Sequence, residues 1–286
     1  MARRPKEEAP APESDRVEGL PHPREIDRLM GLAGARQTLT ESLARDAPHG
    51  WILVGPRGAG KASLAYWLAQ RLLAPGAGER VDLSAPPDPA TRRLIAAGSH
   101  PGLLTLRRPW DATAKRFKSD LPVDEVRRLH GFFGKTATGG GWRIAIVDTA
   151  DDMNANAANA LLKILEEPPR RALLLLLSAA PGRLLPTIRS RTRTLRLEPL
   201  ARSEMRALLA AMAPELAEDD VARLLTLAEG CPGEALRLAQ GDGLGLLARI
   251  DACLAALPAT GAGVQGLAAE LGARGADDSF SAALDL

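Results

Sequence analysis

Apolar positions along this chain switch between two periods. From about Arg24 to Ala47 they recur at helical spacing, through Ile26, Leu29, Met30, Ala35, Leu39 and Leu43. Trp51-Ile52-Leu53-Val54 is then an unbroken apolar run ending in a glycine loop, the pattern of a strand buried on both faces. Helical spacing returns from Lys61 to Ala74 (Leu64, Trp67, Leu68, Leu72), and Pro75-Gly76 stops it. Leu103 to Leu106 predicts a strand, and Val123 to Phe133 a helix with Val123, Val126 and Leu129 on one face. Trp142 to Val147 predicts a further buried strand that ends in Asp148. Met153, Ala157, Ala160, Leu161, Ile164 and Leu165 mark one helical face closed by Pro168-Pro169, and Ala172 to Ser178 predicts another buried strand.

After Pro199 the strand pattern ceases. Helices are predicted at about 203–212, 218–228 and 233–240, separated by Pro214 and by Gly230-Cys231-Pro232-Gly233. Gly241-Asp242-Gly243 reads as a hinge, and the remainder is Ala/Leu helical. Strands alternating with helices predict an α/β fold, an open parallel sheet with helices on both faces. The predicted organisation is a disordered tail over 1–20, the α/β domain over 21–199, a small helical domain over 200–242, and the start of another over 243–286.

Composition narrows the picture. With 286 residues, 45% hydrophobic and 25% charged, the chain is long enough for about two domains with their own cores. Lys+Arg 37 against Asp+Glu 35 leaves +2, too little for polyanion binding by net charge alone. The apolar stretch Ala172 to Leu177 is too short to cross a bilayer, as is every other in the chain, and no apolar segment follows the charged N-terminus. No membrane partner is expected, and the location read from this is cytoplasmic. Two cysteines, Cys231 and Cys253, exclude a disulfide framework and a four-cysteine zinc site. His100 reads as a turn residue, and Lys115-Arg116-Phe117-Lys118 as a solvated charged face rather than a nucleic-acid contact.

The chemistry concentrates at three places. Gly55-Pro-Arg-Gly58-Ala-Gly60-Lys61 follows a strand and opens a helix, as a phosphate loop does: its amides converge on phosphate oxygens and Lys61 adds charge at the helix N-terminus. The competing reading is a tight strand-to-helix turn. A working loop carries Ser or Thr directly after the lysine to ligate Mg²⁺, and here Ala62 has no oxygen. Asp148 has the place of a metal-supporting carboxylate at a strand end, or of a residue that merely starts a turn. Thr149 follows it where ATPases of this type carry a water-polarising Glu, and its hydroxyl is a poor base near neutral pH.

The run Asn156-Ala-Ala-Asn-Ala-Leu-Leu-Lys-Ile-Leu-Glu-Glu-Pro-Pro169, with Leu184-Leu-Pro-Thr-Ile-Arg-Ser190-Arg191 beyond it, resembles the AAA+ subunits of clamp loaders. These assemblies open a sliding clamp and place it on primed DNA. The likeness covers about residues 20 to 240. The loop GPRGAGKAS and Asp148-Thr149-Ala150-Asp151 are most similar to the delta-prime group of bacterial DNA polymerase III.

The resemblance implies an AAA+ P-loop domain, a helical lid and a partial helical collar, the collar being either minimal or truncated. It implies that Arg191 is an arginine finger given in trans to a neighbour's nucleotide, although four arginines within 189–196 also fit a solvated basic edge. Gly233 stands where motor subunits place a phosphate-sensing arginine, and Arg237 lies one turn later. Thr192 replaces the cysteine usual after the finger.

A structural subunit is therefore expected, with no ATPase turnover of its own, working within a DNA-directed DNA polymerase holoenzyme. The residual loop, Gly55, Gly58, Gly60, Lys61 and Asp148, leaves room for weak ATP or ADP binding without a complete Mg²⁺ site. No cofactor, metal or zinc is required. The implied partners are the other subunits of a hetero-pentamer and, through it, the sliding clamp and primer-template DNA. The alternative is a hydrolytically active AAA+ ATPase, either a motor subunit or another remodeller.

Overall fold

The computed structural model describes residues 12–17, 19–26, 28–45, 48–77, 83, 86–134, 141–240 and 243–255, with 265, 266 and 269 beyond them. Two compact units emerge. The first holds the chain up to Gly55 and Lys61–Leu197, and the second holds Pro56–Gly60 together with the chain from Glu198 onward.

In the first unit α1 (Ala33–Arg45) leads to β1 (Gly50–Val54), α2 (Lys61–Leu72), α3 (Pro89–Ala96) and β2 (Leu103–Leu106). A short hairpin, β3 (Trp110–Asp111) and β4 (Arg116–Phe117), precedes α4 (Val123–Phe133), β5 (Arg143–Val147), α5 (Ala155–Glu166) and β6 (Ala172–Ser178). The one-turn α6 (Pro186–Arg189) and β7 (Arg193–Arg196) complete it. The five long strands form one all-parallel sheet in the order β2-β5-β6-β1-β7. This is the open parallel sheet with helices expected of the sequence.

β6 is the centre of the sheet. Its seven residues are all buried, and each of its leucines contributes about 1.5–3 kcal/mol by leaving water. Alternate residues face opposite ways. Leu174 and Leu176, with Ile52, Val54, Ala145 and Val147, pack against Val126, Leu129 and Phe133 of α4 and Ala157, Leu161 and Leu165 of α5. The other set (Leu173, Leu175, Leu177, Trp51, Leu53, Ile144, Ile146) is buried as well, and α2 lies against β6.

The second unit carries α7 (Arg202–Met212), α8 (Glu218–Leu227), α9 (Pro232–Ala239) and α10 (Gly243–Ala255). The first three match the predicted helices within two residues. Of the stretch 243–286, where the start of a collar is expected, α10 and residues 265, 266 and 269 fall among the described residues. Gly241-Asp242 and the final apolar positions, Phe280, Ala283, Leu284 and Leu286, lie outside them. No helix among the described residues is long and apolar enough to cross a membrane.

Several expectations need correction. The helix anticipated from Arg24 begins only at Ala33, because Gly31 and Leu32 take positive φ (66° and 55°) and turn the chain first. The tail was expected to be disordered to residue 20. Residues 1–11 and 18 lie outside the described residues, but Glu13 and Asp15 are fixed by ion pairs to Arg24 and Arg107. Residues 56–60, expected in the first domain, group with the second unit. α3, the β3–β4 hairpin and β7 were not anticipated.

Candidate functional site

Register brings the chemistry to one edge of the first unit. Val54 pairs with Ser178 and Val147 with Leu176, so β1, β5 and β6 end together at their carboxyl ends, where ligands of open α/β sheets bind. Gly55 N–H donates to the Ser178 carbonyl (3.3 Å), and Asp148 N–H to the Leu106 carbonyl (2.9 Å).

Lys61 opens α2, and its ammonium turns back to donate to the Gly55 carbonyl at 2.8 Å. Ala62, next along the helix, brings a methyl group where a Mg²⁺ ligand would stand. Thr149 lies in the left-handed region (φ 53°, ψ 55°), an uncommon place for a β-branched residue that costs on the order of 1–3 kcal/mol. Its hydroxyl donates to the Asp148 carbonyl at 2.7 Å, so it is committed to the turn.

Burial first, and then the negative charge of Asp15, push the Asp148 carboxyl up to about 6 against the opposing pull of Lys61. Asp15 comes from the N-terminal segment. Burial pushes its carboxyl up, but the His22 ring and the Arg107 guanidinium outweigh this and hold it below the usual carboxylate range.

Glu13, Asp15 and His22 place three donor atoms within 4.8 Å of one another, which raises the question of a metal. The bonding argues against it. Arg24 N–H donates to His22 Nδ1 (3.1 Å), which leaves the ring proton on Nε2, facing Asp15 Oδ2 at 3.2 Å. Arg107 bonds both carboxylates, at 2.8 Å and 2.6 Å. The cluster is an ion-pair network that ties the N-terminal segment to the end of β2.

Two contributors have no role assigned to them by the sequence, although Asp151 lies in the quoted Asp148–Asp151 run. Asp151 Oδ2 accepts from the backbone N–H groups of Ala179 and Ala180, both at 3.0 Å, joining the turn after β5 to the end of β6. Ser178 is fully buried at the end of the central strand, and its hydroxyl has no hydrogen-bond partner among the described residues. His100 does hold a turn: its Nδ1 accepts from Gly102 N–H at 3.1 Å. Lys115, Arg116 and Lys118 are exposed on the β3–β4 hairpin, which is stiffened by an edge-to-face contact between Trp110 and Phe117.

Arg191 lies elsewhere. β7 runs parallel to β1 with Arg193 opposite Trp51, so Arg191 belongs to the amino end of the sheet. The loop at Gly55 lies at its carboxyl end, roughly 16 Å away at about 3.3 Å per residue. The Arg191 guanidinium contacts Glu166 Oε1 (3.0 Å) and donates to the Thr187 carbonyl (3.1 Å), and its side chain stays 38% exposed.

In the second unit the loop meets α9. Gly233 N–H donates to the Gly58 carbonyl at 2.8 Å. A Cβ on Gly58, which has φ +74°, would stand 2.5 Å from the Glu234 nitrogen, and one on Gly233 2.8 Å from the Gly58 Cα. Only two glycines can come this close. Ala59 N–H points back to the Pro56 carbonyl (3.3 Å), and Arg237 is paired with Glu234. In the first unit, Ala62 offers no oxygen to a Mg²⁺ ion and the Thr149 hydroxyl is committed to its own turn.

Residues 33–201 match the family described as DNA polymerase III, delta subunit. DNA polymerase III subunit delta' of Pseudomonas aeruginosa is 40% identical over 198 residues, 68% of this chain and 57% of that protein. The Bacillus subtilis protein of the same name is 33% identical over 211 residues, 71% of this chain and 58% of that protein. The gamma/tau subunit of Mycobacterium tuberculosis is 34% identical over 174 residues, covering 59% of this chain and 28% of that protein. The chain thus spans a little over half the length of the two delta' relatives.

Two outcomes follow from the geometry. Gly233→Ala forces a methyl group against the Gly58 backbone and should lower stability by about 1–3 kcal/mol, read as a reduced midpoint in urea; an unchanged midpoint would show that the contact is dispensable. Asp148 has a folded-state pKa of about 6, above the usual value of 3.8, so the folded chain binds more protons than the unfolded one between those values. Its contribution is therefore fully present below about pH 4 and is lost as pH rises through 6, at most about 3 kcal/mol. Asp148→Asn should accordingly raise the melting temperature at pH 8 and much less at pH 4. Equal shifts at both pH values would contradict the assignment.

By its matched residues and its relatives, the chain belongs to the DNA polymerase III delta-subunit family and is delta-prime-like within it.

Proposed function

We propose that the chain works in DNA replication as a delta-prime-type clamp-loader subunit that donates Arg191 to the nucleotide of a neighbouring ATPase subunit and turns over none itself. The observation that carries this reading is the position of Arg191. It stands at the amino end of β7, about the length of β1 from its own glycine loop, so a guanidinium there serves a site on another chain. Its partial exposure and its surface hydrogen bonds agree with that role.

The loop supports the second half of the reading. Ala62 has no oxygen, the Thr149 hydroxyl is turned to the Asp148 carbonyl, and position 233 is a glycine against Gly58. Each removes a different requirement of hydrolysis: the Mg²⁺ ligand, the water-polarising base and the phosphate-sensing arginine. The partners of this reading are the motor and delta-like subunits of a hetero-pentamer in the cytoplasm, and through them the clamp and primer-template DNA. The relatives' names place them in the same polymerase.

A guanidinium on the transferring phosphoryl group is worth on the order of 10³–10⁵ in rate at its site. Arg191→Ala should therefore reduce DNA- and clamp-stimulated ATPase of the reconstituted loader, partially, because other interfaces keep their own fingers. Arg191→Lys should recover little, since a point charge cannot reproduce the planar fork. Assembly and the fold of this subunit should be unchanged. Wild-type turnover from the Arg191→Ala complex, with only a weaker and salt-dependent DNA affinity, would mean that Arg191 is part of a solvated basic edge.

A further inference from the structure

Arg191 is held by a partner that no part of the finger reading requires. α5 ends at Glu166, and the Glu166 carboxylate meets Arg191 Nη2 at 3.0 Å. Nη1 bonds the Thr187 carbonyl (3.1 Å) and approaches Ser190 Oγ (3.4 Å), so the guanidinium is bracketed between the end of α5 and the end of α6. α6 is anchored by the fully buried Ile188, and it packs on α5.

Glu166 is poorly placed for its own helix. The last turn of a helix carries the negative end of the dipole and favours a cation, so a carboxylate there is unfavourable unless something else engages it. Arg191 is what engages it. These contacts engage Nη2 once and Nη1 twice, and none of them uses Nε. A guanidinium has five N–H donors, and those remaining stay available to a second anion.

We propose that Glu166 is a positioning residue for Arg191, holding the guanidinium in one orientation before a neighbour's nucleotide reaches it. This rests on the reading of Arg191 as a finger in trans. An unrestrained arginine must give up its rotamer freedom when it engages phosphate, whereas one already bracketed has lost much of it beforehand. Both side chains are partly exposed, so the effect is modest, about two- to five-fold in rate.

The test is a double-mutant cycle in a loader reconstituted from the full chain and its partner subunits, with Glu166→Ala, Glu166→Gln, Arg191→Ala and the Glu166→Ala/Arg191→Ala pair. Glu166→Ala should lower kcat about two- to five-fold with the KM for ATP unchanged. Glu166→Gln, which keeps an acceptor oxygen, should recover part of the loss. Glu166→Ala should have no further effect once Arg191 is alanine. In the isolated chain, side-chain NMR should show slowed rotation of the Arg191 guanidinium that Glu166→Ala abolishes.

An Arg191→Ala loader with wild-type turnover removes the finger reading and this proposal with it. A slow Arg191→Ala loader beside an unaffected Glu166→Ala loader leaves the finger standing and overturns the positioning role. Equal losses from Glu166→Ala in both backgrounds, or a guanidinium whose rotation ignores Glu166, overturn it too.

Discussion

The parallel pairing of β6 with β1 on one side and β5 on the other is the constraint on which the first unit depends. A slip of one residue moves every side chain of a strand to the opposite face, which burial penalises only where the two faces differ. Ala172-Leu-Leu-Leu-Leu-Leu-Ser178 is apolar at almost every position, so burial is indifferent to which face is which. Register is therefore fixed by the strand ends, where Gly55 bonds Ser178 and Asp151 caps the turn at Ala179 and Ala180. Those same bonds set the carboxyl ends of β1, β5 and β6 level, and so decide where the glycine loop and Asp148 emerge. Fold and site share one set of hydrogen bonds.

A second constraint belongs to the glycine loop. In a phosphate cradle the loop amides point outward and the lysine follows them. Here the Ala59 amide turns inward, and the Gly58 carbonyl is taken by Gly233. An arginine at position 233 could not coexist with this contact, since even a Cβ there would fall 2.8 Å from the Gly58 Cα. Glycine at position 233 and the close approach to Gly58 are thus one structural fact. The strain at Thr149 points the same way, because a residue held left-handed with its hydroxyl on the preceding carbonyl is a turn former, and no base.

The three central strands β5, β6 and β1 were legible because buried parallel strands read as unbroken apolar runs, and β2 as a shorter one, while short motifs single out Lys61, Asp148 and Arg191 as candidates. What escaped had no local signature. β7 shows only Leu195 to the core, and its arginines disguise it as loop. Glu13 and Asp15 pack through charge, so a composition of Pro, Glu, Asp and Arg read as solvent-exposed chain. The pairs Gly58–Gly233, Asp151–Ala179 and Glu166–Arg191 join residues from different parts of the chain. Spacing rules do not reach such pairs.

The arginines between 189 and 196 make that last point in a single stretch. Arg193 and Arg196 lie on the edge strand β7, where charge discourages further strand addition, and Arg193 also bonds Ser42 Oγ at 2.9 Å. Arg189 ends α6, where a cation suits the helix dipole. Arg191 falls between the helix and the strand and belongs to neither pattern. Its nearest charge partner is Glu166, itself on the unfavourable end of a helix. A uniform basic edge would need no such pairing, because solvated arginines are stable without one. Two residues each poorly placed for their own element are well placed for each other, and that pairing sets Arg191 apart from the other arginines of the stretch.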